Sequence, residues 1–260
     1  MYQEEQLISI QRYATKHKLS AFNVIKQINT GKLKTIKKDD EEFIIDETIL
    51  LPMPVQTISP MRRKEFAIDN QNDMITLLQA CEYGTLSLVD NKGTPYGVPL
   101  NFAWWEEGIV FHGAIEGKKI EILAQNPKAS FNVVKSYAFI PSHFSGTTSA
   151  CPATQFFASV SLGGNVKEIK NADEKALALN ALMEKLQPEK KYETITANNP
   201  IYTKMLEKTA VFKLTPTWHS MKLKLGQQLP KERQNMLIQQ LRERGFPLDI
   251  LTANLMEEDK

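Results

Sequence analysis

Apolar and polar positions alternate over 83–90, YGTLSLVD, which predicts a half-buried strand. The turn Asp90-Asn91-Lys92-Gly93 and the apolar run YGVPLNFAWW then predict its hairpin partner. GIVFH over 108–112 reads as a third strand, ASFNVVK over 129–135 as a fourth and QFFASVSLGGNV over 155–166 as a fifth, with a bend or bulge at Gly163-Gly164. The spacing predicts a helix over 118–124 that stops before Asn126-Pro127. A second helix is expected over 171–186, with an apolar stripe of Leu177, Leu179, Leu182, Met183 and Leu186. Two further strands, 209–214 and 218–225, are expected on either side of Pro216. A terminal helix over 230–244 carries Met236, Leu237 and Leu241 on one side. About seven strands clustered with few helices argue for an antiparallel barrel or sandwich over a doubly wound sheet.

The first fifty residues have another texture. Short helices are expected over 10–17 and from Ser20 to Asn29, Ser20 as N-cap and Gly31 as stop. LKTIKK, DDEE and FIID then read as a two-stranded hairpin, completing a small winged helix-turn-helix. Pro52, Pro54 and Pro60 favour an extended linker. The expected organisation is therefore a module at 1–50, a linker at 51–60 and a larger domain at 61–260.

Composition excludes several classes. The chain has 260 residues, 42% hydrophobic and 24% charged, with a formal net charge of +2. It is neither disordered nor a rod, and the sum of charges makes no case for nucleic acid. Locally the case differs: Arg12, Lys16, Lys18, Lys26, Lys32, Lys34, Lys37 and Lys38 fall in a stretch without an acid, and Asp39-Asp40-Glu41-Glu42 follows at once. Two cysteines, Cys81 and Cys151, are too few for a disulfide scaffold or a cysteine-rich metal cage. Without a signal-like start or a run of 18 apolar residues, the expectation is a cytoplasmic protein with no membrane contact and no metal site.

One short segment carries candidate chemistry. Gly113, Gly117, Lys118 and Lys119 lie in a turn that opens a helix. Glycines admit close backbone approach, a helix start offers free N–H groups, and each ammonium near a phosphate gains roughly 4 kcal/mol before desolvation. The turn is therefore a candidate phosphate grip. Pro99 and Leu100 supply an apolar slot, and the main chain of Asn101 and Phe102 supplies hydrogen bonds for the polar edge of a ring. His112 sits beside the lysine turn, either as a proton donor, a carboxylate or haem ligand, or as a packed histidine bonded to backbone.

Two resemblances add to this reading. Tyr13-Ala14, Ser20, Val24-Ile25 and Thr30-Gly31-Lys32-Leu33 resemble the excisionase/MerR-type DNA-binding family over about 7–47. That resemblance implies a second helix meeting DNA through Ser20, Asn23, Lys26 and Gln27, and phosphate contacts from Lys32, Lys34 and Lys37. A docking or dimerisation role stays open beside it.

The ordered set MRRKEFAI, YGTLSLVD, PYGVPLNFAW, GIVFHGAIEGKKIEILAQNPKASFNVV and CPATQFFASVSLGGNVKEI resembles the pyridoxamine 5'-phosphate oxidase-like flavoproteins, Nim-type (nitroimidazole-resistance) branch, over about 61–225. The resemblance implies an α+β, mostly β, FMN-binding split β-barrel with flanking helices, paired as a homodimer. Haem or F420 replaces FMN in part of the family. It also adds Ser159 and Val160 to the ring lining. The implied function is an FMN-dependent oxidoreductase passing hydride to a small acceptor, nitroaromatic compounds included. The alternatives are a flavin- or haem-responsive DNA-binding regulator and a haem-binding or haem-degrading protein.

Overall fold

The computed structural model describes residues 7–17, 21–29, 32–38, 41–45, 61–68 and 70–258. The expected linker at 51–60, Ser20, Thr30, Gly31 and the Asp39-Asp40 turn lie outside them. The chain divides into two compact units, Met1–Met53 and Pro54–Lys260.

In the first unit, β1 (Leu7–Ser9) leads into α1 (Ile10–Lys16) and α2 (Ala21–Asn29), and the hairpin β2 (Thr35–Lys38) and β3 (Glu41–Ile45) closes it. The sheet order is β1-β3-β2. Helices and hairpin fall where the pattern predicts them. β1 was not expected, because three residues carry too little periodicity to read. Ile8, Tyr13, Ala14, Val24 and Ile44 form the core of the unit, and Ile25 stays exposed beside fully buried Val24.

The second unit is a curled antiparallel sheet that forms a half-barrel with flanking helices. After β4 (Ala67–Ile68) and α3 (Gln71–Ala80) come β5 (Tyr83–Val89), β6 (Pro95–Asn101), β7 (Ala103–Trp105) and β8 (Gly108–Ala114). Next are α4 (Lys118–Gln125), β9 (Lys128–Ile140), β10 (Thr154–Ile169) and α5 (Ala172–Leu186). The unit ends with α6 (Pro200–Lys208), β11 (Thr209–Lys224), α7 (Lys231–Arg244) and α8 (Pro247–Glu258). The sheet path is β6-β5-β9-β10-β11-β8-β7, with β4 on β11.

Strand alternation sorts the side chains into two faces. Along one rung Leu86, Phe131 and Leu162 align and are buried inside the barrel. The next rung, Pro99, Thr85, Asn132, Ser161 and Ser220, lies on the outside. Near β7 and β8, α5 covers the outside through a cluster of Ala103, Val110, Ile169, Ala178, Leu182 and Val211.

Several expectations need correction. The two strands expected around Pro216 are one continuous strand, β11. The register shifts between Gly163 and Gly164, opposite the proline, and such a bulge is where a strand tolerates proline. The run YGVPLNFAWW is broken at Phe102 into β6 and β7. The α5 stripe is also displaced: Leu177 and Leu186 are exposed, while Ala176, Ala178 and Leu182 are buried. Small alanines let the helix approach the sheet closely around Leu182, and Leu177 and Leu186 are left at its flanks. On α7, Met236 is exposed, and Leu237, Ile238 and Leu241 face inward. Helices α3, α6 and α8 were not foreseen.

Candidate functional site

Chain geometry at the end of β8 builds the site. Gly117 caps α4 with φ of 113°, a left-handed conformation that suits glycine, and no side chain caps the helix. The α4 N-terminus therefore keeps its positive end available. Lys119 reaches back from it: its Nζ is 3.5 Å from the His112 carbonyl oxygen, 5.4 Å from the Phe111 ring centre and 6.0 Å from that of Phe212. A Cβ on Gly113 would lie 2.6 Å from the same Nζ. Desolvation lowers the Lys119 pKa below the ordinary lysine value.

Lys118 goes elsewhere. Its Nζ sits 3.7 Å from Asp90 Oδ2, in the turn between β5 and β6. The lysine doublet is thus divided, one ammonium over the Phe111–Gly113 face and one on the hairpin turn. The contact also brings the start of α4 beside the β5–β6 hairpin.

The His112 side chain lies on the other face of β8. Lys119 lies on the face of β8 that carries Phe111 and Gly113, so alternation turns the His112 ring to the opposite face. The ring is exposed at the strand end, yet crowded enough that desolvation, with a smaller contribution from the Lys119 charge, lowers its pKa. Neutral imidazole therefore persists to lower pH than usual.

The VPLNF segment divides the same way. Pro99 is on the outer face opposite Thr85, and Leu100 is opposite Gly84 on the inner face. Asn101 Nδ2 donates to the Glu82 carbonyl at 3.0 Å. Phe102 is fully buried and packs edge-on against Phe131, with ring centres 4.8 Å apart. Its carbonyl accepts from Lys185 Nζ at 2.9 Å, and the same ammonium lies 3.4 Å from its ring centre. Burial pushes Lys185 down to about 8. No sequence motif marked Lys185; its place in the last turn of α5 becomes meaningful only once α5 packs across β7. On β10, Ser159 is half-buried on the outer face and Val160 is fully buried on the inner one. Pro99 and Ser159 thus share a face with each other and not with Leu100 or Val160.

β6 ends the sheet path, so its outer backbone edge has no neighbouring strand among the described residues. Such an edge presents N–H and C=O groups to whatever lies beside it. The described residues hold no group of three or more His, Cys, Asp or Glu able to bind a metal. None of the described helices is long and apolar enough to cross a membrane.

In the first unit, Asn23 is exposed and Gln27 half-buried, four residues apart on one face of α2. Lys32, Lys34 and Lys37 are exposed. In the β2–β3 register Lys37 is opposite Glu42 and Lys38 opposite Glu41. The side chain of Lys26 lies outside the described residues.

The family model described as pyridoxamine 5'-phosphate oxidase matches residues 70–223. Among solved structures, the flavocytochrome Anf3 from Azotobacter vinelandii is similar at a TM-score of 0.56 and 22% identity, over 67% of this chain and 76% of that one. The FAD and heme binding protein from Mycobacterium smegmatis matches at 0.52 and 21%, over 61% and 73%. A candidate 5-nitroimidazole antibiotic resistance protein from Bacteroides thetaiotaomicron matches at 0.50 and 20%, over 60% and 85%. No curated protein matches the chain. At these identities the structural likeness speaks for the fold, and it agrees with the half-barrel described above. By the family match over more than half its length, the chain belongs to the pyridoxamine 5'-phosphate oxidase family.

Proposed function

We propose that the second unit is an FMN-binding oxidoreductase that passes hydride to a small acceptor, nitroaromatic compounds among them. The observation that carries this reading is the cradle formed by Gly113, Lys119 and the uncapped start of α4, beside the hairpin whose strand β6 ends the sheet among the described residues. Lys119 and the α4 N–H groups would hold the phosphate, and the β6 backbone near Pro99 and Asn101 the polar edge of the ring. Bound FMN would supply the hydride-transfer chemistry. Lys119, partly desolvated, offers a phosphate a cation that water screens weakly. His112, facing away from Lys119, would serve as proton donor only to an acceptor approaching from the α5 side of β8. A second copy of the chain, giving a homodimer, would cover the exposed Tyr83 and Val134, and a cytoplasmic location suits the two free cysteines. Haem and F420 are the other cofactors to be tested.

The purified protein's absorbance spectrum is the direct test. Flavin bands that bleach with a nicotinamide donor and return on adding a nitroaromatic compound support the reading. A Soret band would replace it with a haem protein.

A second reading concerns the first unit. Its order of strand, two helices and hairpin, with Lys32 and Lys34 exposed after α2, favours DNA binding by residues 7–47. The whole protein would then be a cofactor-responsive regulator. Retention of the full chain on duplex DNA, lost on Lys32→Glu and changed by cofactor, tests it; salt-independent or absent retention overturns it.

A further inference from the structure

A separate groove opens on the outer face of the half-barrel, with a volume of about 640 Å³. That size falls in the range of small-molecule sites. Trp218 lines the groove, and the fold places this indole by a specific local arrangement. Gly163 pairs with Trp218 and Gly164 with Pro216, so Thr217 is the extra residue of a bulge. Thr217 Oγ1 donates to the Gly163 carbonyl at 3.2 Å and fixes it. A Cβ on Gly163 would come within 2.5 Å of the indole, and one on Gly164 within 1.9 Å of the Thr215 carbonyl oxygen. Gly163 is therefore needed for the indole to lie against β10, which leaves its other face toward the groove, and Gly164 is needed for the β11 backbone to approach at the bulge.

The lining mixes small polar residues, Ser130 and Asn165 among them, with the apolar Val89 and Pro95, and adds Lys128. Asn126 Nδ2 donates to the Val89 carbonyl at 3.1 Å, and its Oδ1 accepts from the Lys128 N–H at 3.2 Å, which anchors the start of β9 against the hairpin. Lys128 is the one charged residue of the lining, and its ammonium has no carboxylate partner among the described residues. Lys119 lies on the inner-barrel side with Phe111 and Phe212, whereas Ser130 and Gly163 belong to an outer rung, so the sheet stands between the two places.

We propose that this groove binds a planar aromatic molecule carrying a single negative group, the ring stacked on Trp218 and the anion against Lys128. An indole face recognises a flat π-system, and a lone cation in a neutral lining selects one negative charge. The site does not depend on the flavin reading.

Titration calorimetry with 2-naphthoate, on the full chain without added cofactor, tests it, with 2-naphthamide as the uncharged control. Naphthoate is expected to bind once per chain and the amide about tenfold more weakly, the loss of one screened ion pair. Lys128→Ala, an exposed substitution, should bring naphthoate down to the level of the amide. Trp218→Leu should weaken both probes, with far-UV circular dichroism confirming that it folds. No binding of naphthoate, or binding unaltered by Lys128→Ala, overturns the proposal. Displacement of naphthoate by FMN would also overturn it, since the groove would then belong to the cofactor.

Discussion

The ammonium of Lys119 occupies the space that a side chain on residue 113 would need: an ideal Cβ on Gly113 lies 2.6 Å from Lys119 Nζ. Gly113 is thus a matter of room, since its φ is not in the left-handed region. Gly113→Ala should fold, because the atom it meets is the far end of a flexible chain. Stability should change by less than about 1 kcal/mol. The ammonium must swing out of the cradle, and FMN affinity should fall about tenfold or more, measured by fluorescence quenching of added flavin. Unchanged affinity would remove Lys119 from the phosphate site.

The divided doublet makes its own prediction. Lys119→Met should weaken FMN binding about tenfold to a hundredfold, and Lys118→Met, which breaks only an exposed contact with Asp90, by a few-fold. The pH dependence follows from the sign of the Lys119 shift. Its pKa is lowered by desolvation, so it loses its proton at lower pH than an ordinary lysine. Phosphate binding favours the protonated form. FMN affinity should therefore decline as pH rises through the alkaline range, and the decline should vanish in Lys119→Met. Dissociation constants across a pH series check this.

Much of the fold was legible because the period-two pattern is strong wherever one face is buried. The alternation at Leu86 and Leu88 is the clearest case, and both are inside the barrel. The Gly163-Gly164 bulge was legible too, since two adjacent glycines in a strand have few other uses. Local pattern did not show which face each residue would take at the site. His112 and Lys119 are close in sequence, but one sits on a strand and the other at a helix start that folds back over the opposite face. Lys185 lies 83 residues from Phe102 and meets it only through the packing of α5. The missed helices had signals in their caps: Asn70 Oδ1 accepts from the Asn72 N–H, Asn199 Oδ1 accepts from the Ile201 N–H, and prolines stand at the starts of α6 and α8.

The turn between β7 and β8 stores removable strain. Glu106 and Glu107 have φ of 44° and 60°, the left-handed pair that a two-residue hairpin loop requires and that Asn-Gly adopts most readily. Glu106 Oε2 meets Lys213 Nζ at 3.3 Å, an exposed contact of small value. Combining Glu106→Asn with Glu107→Gly should raise stability by about 1 kcal/mol, seen as a higher denaturant midpoint with the slope unchanged. A lower midpoint would mean that the glutamate contacts outweigh the backbone strain.

The C-terminal helices α7 and α8 are held to each other by an ion pair that should make the protein acid-sensitive. The Asp249 carboxylate is buried at 2% exposure; it accepts from the Arg244 guanidinium in two places and from the Phe246 N–H at 3.2 Å. Arg244 also donates to the Phe139 carbonyl at 2.8 Å, tying α7 to β9. The Arg244 hydrogen bonds, more than the charge alone, hold the Asp249 pKa below its ordinary 3.8. A carboxylate with a depressed folded pKa adds stability that is complete above the unfolded value and is lost as pH falls through the folded one. Asp249→Asn should therefore cost about 2–3 kcal/mol at neutral pH, because a largely enclosed guanidinium loses its charge partner. The gap between wild type and variant should close as the wild type is acidified below about 4. Arg244→Lys should also be destabilising at neutral pH, since an ammonium cannot make the paired bonds. Urea denaturation from neutral to acid pH checks all three outcomes, and a gap that persists in acid would show that Asp249 acts through packing and not through its charge.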